Sequence, residues 1–154
     1  MGLMARIARK AICPDIEATE RDDALREVLA GLVTHGYIES DDSEAVMQSL
    51  LQREALGSTA IGKGIAVPHG KSGKKSSKKI IIGIARSLKG VRFRSLDGEP
   101  VHVMFLVVSP LERPPDYLAV MEGISRTLQN QDFMRFMMKA GDAKDILEII
   151  EEMC

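Results

Sequence analysis

The chain has no tryptophan, and its aromatics amount to two tyrosines and four phenylalanines. So thin a supply excludes a surface that stacks bases of single-stranded nucleic acid. It also has no excess of charge of either sign: 21 Lys and Arg face 22 Asp and Glu, a formal balance of −1. Proteins that bind nucleic acid through its phosphates carry a basic surplus, so that class is excluded as well. Cysteine is scarce, with only Cys13 and Cys154. Two cysteines build no disulfide framework, and the expectation is a reduced, cytoplasmic protein with Cys154 loose at the end of the chain. Long apolar runs are missing too. The longest cover residues 80–85 and 101–108, the second interrupted by His102. A bilayer-spanning helix needs roughly 20 residues, so direct membrane insertion is not expected. The opening MGLMARIARK lacks the apolar stretch of a secretory signal, and Arg6 stands where a myristoylation signal has Ser or Thr.

What is present is ordinary core material. Of 154 residues, 45% are hydrophobic and 28% charged, enough for a packed interior and the length of one domain, residues 1–154. The pattern predicts a helix over 19–36, opened by Thr19 and Asp22 and stopped by Gly36, with Ala24, Leu25, Val28, Leu29, Leu32 and Val33 on one face. A second helix is predicted over 43–55, where Val46, Met47, Leu50 and Leu51 form the stripe and Asp42 or Ser43 caps. Glycine then intervenes five times between Gly57 and Gly73. Two short extended pieces are predicted at 59–61 and 65–67, joined by a Gly-Lys-Gly bend and closed by Pro68. Strands follow at 79–86, 91–93 and 101–108, with a turn over 96–100. The last strand is apolar on both faces except at His102, as in a covered central strand. Helical periodicity returns after Pro110, at 117–128, 133–137 and 146–153. The sum is an α/β fold: one three-layer domain, a mixed β-sheet with helices on both sides.

The chemistry converges on His69. Pro68 fixes the approach of the chain and Gly70 removes bulk beside the ring, which sets the imidazole on a rigid edge. Near pH 7 an imidazole offers a neutral, nucleophilic nitrogen that can take a phosphoryl group as a phosphoramidate. The phosphoryl oxygens need donors. Close in sequence are backbone N–H groups at Gly57, Gly62, Gly64 and Gly70, hydroxyls on Ser58 and Thr59, and the forked guanidinium of Arg53. The plainer reading keeps a packed histidine, a glycine bend between two strands and a solvated Arg53 beside Glu54.

The run REALGSTAIGKGIAVPHG, Arg53 to Gly70, resembles the phosphorylation-site signature of enzyme IIA domains of the bacterial phosphoenolpyruvate-dependent phosphotransferase system. The type is the mannitol/fructose and nitrogen-regulatory one. The signature asks for an acidic or amide residue, six open positions, an aliphatic, a small residue, two open positions, then aliphatic-Ala-aliphatic-Pro-His and a small residue. Glu54, Ile61, Gly62, Ile65, Ala66, Val67, Pro68, His69 and Gly70 fill every slot. The likeness extends outside the signature, from the first helix through VHVMFLVVSP to the C-terminal helices, which is most of the chain.

The resemblance implies that His69 accepts phosphate from the histidine phosphocarrier HPr and hands it to a IIB domain or uses it as a regulatory switch. The chain would then be a phosphotransferase in the sense of a phosphohistidine carrier, with no cofactor. Arg53 and Thr59 fall at positions that lie beside the phosphohistidine in the family. A nitrogen-regulatory role, as a freestanding subunit, is expected over a sugar-specific one. One position departs: where the family has a second histidine at the start of the helix after the central strand, this chain has Tyr117, whose hydroxyl can hydrogen-bond a phosphate but is no near-neutral acid or base. That departure leaves open an alternative, a regulatory binding module of the same fold in which transfer is weak or lost.

Elsewhere the expectations are plainer. The lysines of KSGKKSSKK, 71–79, either steer an acidic partner or form a solvated loop. His102 is expected to be satisfied on a sheet face, and His35 to sit at a helix C-terminus. Met121, Met134 and Met137 are expected to fill core, with Met138 a possible outlier. The histidines and cysteines show no ligand spacing, so no metal is expected.

Overall fold

A computed structural model describes residues 2–72 and 79–153. Most of KSGKKSSKK, and Cys154, lie outside the described residues. Five helices and a mixed five-stranded sheet are formed: α1 (Arg21–Thr34), α2 (Ser43–Ala55), β1 (Ala60–Gly62), β2 (Ile65–Ala66), β3 (His69–Lys71), β4 (Ile81–Val91), β5 (Val101–Ser109), α3 (Tyr117–Gln129), α4 (Phe133–Lys139) and α5 (Ala143–Met153).

β5 is the central strand, buried along its length except at His102. On one side β4 pairs with it antiparallel, with Ile84 opposite Phe105. On the other side β2 and β3 share a single parallel register: Ala66 is opposite Met104 and His69 opposite Val107. They are one strand in two pieces. Pro68, with no N–H to give, interrupts the assignment, while its carbonyl still accepts from Val107 N at 2.9 Å. β1 folds back antiparallel on β2 only, so β3 has no strand on its outer side within that hairpin.

Side chains alternate across this sheet and feed two cores. Leu25, Val28, Leu29, Leu32, Val46, Met47 and Leu50 of α1 and α2 pack on Met104, Leu106 and Val108. Val120, Ile124, Phe133, Met137, Ile146 and Ile150 of α3 to α5 pack on Val103, Phe105 and Val107. The predicted three layers are the observed ones.

Two expectations shift, and one feature had no expectation. The first helix starts at Arg21, because Thr19 and Glu20 are drawn into backbone pairing with Arg92; Thr19 O accepts from Arg92 N at 2.8 Å. The strands expected at 79–86 and 91–93 are largely one strand, β4, with an irregularity between Arg86 and Val91. The segment from Ile7 to Glu20, which shows no periodicity, lies along the outer edge of β4 through isolated parallel bridges from Ile7, Cys13 and Glu20. It covers an edge that would otherwise expose unpaired backbone groups. His102 is satisfied as expected, its Nδ1 2.7 Å from Ser87 O, and His35 is the C-cap residue of α1.

Candidate functional site

His69 opens β3, just after the short β2, on the sheet edge that β1 leaves uncovered. Its Nδ1 lies 3.0 Å from the carbonyl oxygen of Val67. A carbonyl only accepts, so Nδ1 carries the proton and the lone pair is on Nε2. Arg53 Nε donates to that Nε2 at 3.2 Å. The ring is thus held at both nitrogens and half-buried.

Arg53 comes from the last turn of α2, where Nη1 donates to Gly57 O at 2.8 Å. A guanidinium has five N–H groups, so this anchor leaves donors for an anion at Nε2. Glu54, next in the chain, is 3% exposed. Its carboxyl oxygens accept from Thr59 N at 3.2 Å and from Thr59 Oγ1 at 2.6 Å. Glu54 therefore ties the end of α2 to the entry of β1, and with it fixes the backbone that leads to His69.

Two hollows flank the imidazole. The first, about 270 Å3, is mainly apolar and includes Thr59, Ile61, Val67, Met121, Ile124 and Leu128. The second, about 390 Å3, includes Gln52, Arg53, Lys71, Ser109, Arg113 and Tyr117. His69 and Arg53 line both.

The structure therefore brings His69, Arg53, Thr59 and Tyr117 to one place, but gives several of them different work from that expected. The Thr59 proton is spent on Glu54, so its hydroxyl has no proton to offer a phosphate while that bond holds. Ser58 Oγ donates to Phe93 O at 2.8 Å. Gly70 is buried, and a Cβ there would meet Leu50 N at 3.1 Å and Leu50 Cδ2 at 3.2 Å. Its missing side chain lets α2 lie against β3 rather than clearing space beside the imidazole. Gly62 and Gly64 are at the far bend of the β1–β2 hairpin, against Asp97, Pro100 and His102, and are not gathered round His69. Tyr117 is 8% exposed at the first residue of α3. Met121 lines the apolar hollow instead of serving only as core filling.

Arg113 and Glu54 escaped sequence reasoning. Glu54 filled a signature slot with no role attached to it. Arg113 sits in a proline-rich stretch without periodicity, and its only signal was a cation in the loop that follows the central strand. Among the described residues, no group of three or more His, Cys, Asp and Glu is placed to hold a metal ion. No helix among them is long and apolar enough to cross a membrane.

The sequence profile for "Phosphoenolpyruvate-dependent sugar phosphotransferase system, EIIA 2" matches residues 7–153. A nitrogen regulatory protein of Bradyrhizobium diazoefficiens is 35% identical over 150 residues, covering 97% of this chain and 95% of that protein. Among solved structures, the nitrogen regulatory protein IIA-Ntr of Neisseria meningitidis superposes with a TM-score of 0.82 at 23% identity, over 96% of this chain and 98% of that one. A complex of enzyme IIA mannitol with phosphorylated enzyme IIB mannitol of Escherichia coli matches at 0.71 and 22% identity, over 94% and 96% of the respective chains.

Proposed function

The chain belongs to the phosphoenolpyruvate-dependent sugar phosphotransferase system EIIA 2 family, and we propose that His69 Nε2 is its phosphoryl acceptor. The observation that carries this is the hydrogen bonding of one ring: Val67 O fixes the proton on Nδ1, and Arg53 marks the Nε2 lone pair at the junction of two open hollows.

The step needs no proton removal from His69. The Nε2 lone pair forms the new N–P bond as the P–N bond to the donor imidazole breaks. The donor nitrogen keeps that electron pair. The positive charge that develops on the His69 ring is met by Val67 O, and the oxygens of the incoming group take the Arg53 donors that Nε2 no longer uses. Catalysis is positioning plus charge stabilisation, without a cofactor.

The donor is an HPr-like phosphohistidine carrier, and the acceptor is a IIB domain or a regulated protein. Leu56 and Ile61, 86% and 58% exposed, stand at the hollows as apolar contacts for such partners. The complex of mannitol IIA with phosphorylated IIB supports that partner class by its fold. The 35% identity to a nitrogen regulatory protein favours a regulatory role in the cytoplasm over transport of one sugar. Tyr117 favours a second reading, a binding module of the same fold that passes phosphate poorly.

The test is incubation with phosphoenolpyruvate, enzyme I and HPr. An acid-labile adduct of about 80 Da, one phosphate, is expected on the wild type and absent in His69→Ala. An unmodified wild type, or a variant that still gains the adduct, overturns the assignment. Partners captured equally by both proteins, without any adduct, would instead establish the binding module.

A further inference from the structure

A phosphoryl group on Nε2 carries close to two negative charges, and Arg53 answers one of them. The geometry points to Arg113, held in place by the Tyr117 ring, as the second cation that binds the phosphoryl group on His69. This deepens the reading of His69 as acceptor and rests on it.

Three observations converge. The guanidinium carbon of Arg113 lies 4.5 Å from the centroid of the Tyr117 ring, the geometry of a cation seated on an aromatic face. Both residues line the hollow that opens onto His69 and Arg53, and that lining contains no carboxylate. The segment between them is stiff. Pro114 and Pro115 fix two backbone torsions in succession, and Tyr117 N donates to Pro114 O at 3.0 Å.

Nearby acid does not cancel the charge. Asp116 is paired with Arg6, and among the described residues Arg113 has no carboxylate partner. Seated on the ring rather than paired with a carboxylate, the guanidinium keeps N–H donors for an anion. Tyr117 is buried at the start of α3, so the platform moves little while the exposed Arg113 side chain can close on a phosphoryl group. A buried tyrosine where the family has a second histidine is thus one half of a two-residue device. The ring supplies the seat and the arginine supplies the charge.

The closing experiment measures phosphoryl transfer in two ways on the full chain. One is the equilibrium with phospho-HPr. The other is labelling by phosphoramidate, a partner-free donor that loses ammonia as the P–Nε2 bond forms. Arg113→Gln is expected to lower the equilibrium constant and the labelling rate about tenfold, the size of one charge-assisted hydrogen bond, with the melting temperature unchanged. Tyr117→Phe, which keeps the ring, should stay within about twofold of the wild type in both. Tyr117→Leu should behave as Arg113→Gln, and combining the two should add little, because both remove one device. Arg113→Gln within about twofold of the wild type overturns the inference. Independent, multiplying losses from Tyr117→Leu and Arg113→Gln overturn the seat. A wild type that takes phosphate from neither donor fails at the level of His69 itself, a different result from a labelled wild type matched by Arg113→Gln.

Discussion

The imidazole of His69 is held at both nitrogens by neighbours that come from different distances in sequence. Val67 is two residues away, and Arg53 arrives from another element 16 residues earlier. The first contact is local, made across the break that Pro68 puts between β2 and β3. The second depends on the end of α2 stopping where it does, and Glu54 sets that stop. With its carboxyl bonded to both the N–H and the hydroxyl of Thr59, Glu54→Ala strands two donors in a buried place. The expected cost is about 1–3 kcal/mol of stability. A larger relative loss is expected in phosphorylation of His69, because Arg53 and the β1 entry lose their tie. Chemical denaturation and the adduct assay, run on the same sample, check this. Phosphorylation of the folded variant at the wild-type rate would show that Glu54 only stabilises.

At the scale of elements, α2 and the central strand were legible because their patterns are unambiguous: Val46, Met47, Leu50 and Leu51 repeat at helical spacing, and 101–108 is apolar on both faces. The sequence singles out His69 as the candidate because the signature around it is dense. The pairing that makes β2 and β3 one interrupted strand was not legible, since two-residue and three-residue pieces carry no period and their register is set by β5. The helix start was misplaced for a related reason: Thr19 reads as a cap locally, but backbone pairing to Arg92 claims it.

The β1–β2 hairpin shows the same dependence on distant groups. Its bend holds Lys63 at a φ of 59° between Gly62 and Gly64. Asp97, 34 residues on, accepts from Lys63 N at 3.0 Å and from Glu99 N at 3.1 Å. Those N–H groups hold the Asp97 carboxyl below the usual carboxylate range, Lys63 contributing most. A carboxyl lowered in the folded state stabilises it above the unfolded value of about 3.9, and the contribution disappears as pH falls through the lower folded value. The Lys63 and Glu99 amide resonances should therefore titrate together, with a midpoint below about 3.9, and Asp97→Asn should abolish the transition. A midpoint at or above that value, or a transition that survives in Asp97→Asn, contradicts the clamp.

At the scale of the whole molecule, the sheet carries one core on each face, and the parts of the chain that close the second face come from both ends of the sequence. Arg86 joins them. It is 3% exposed on β4, and Nε donates to Pro14 O at 2.7 Å, while Nη1 donates to Met137 O at 2.9 Å and to Ala140 O. The last two carbonyls are at the C-terminal end of α4, where the helix dipole favours a cation. A buried guanidinium satisfied by carbonyls alone fastens the N-terminal segment, the sheet and α4 at one point. Nothing in the sequence marks it, because an arginine in a strand reads as an exposed position. Arg86→Met keeps the length and the apolar stem but takes the guanidinium donor away from three carbonyls. A loss of about 2–4 kcal/mol is expected in denaturant unfolding. Hydrogen exchange should rise together at backbone amides of α4 and of the segment along β4, while phosphorylation of His69 per folded molecule stays at the wild-type rate. Loosening confined to one of those two regions would show that Arg86 fastens only that one.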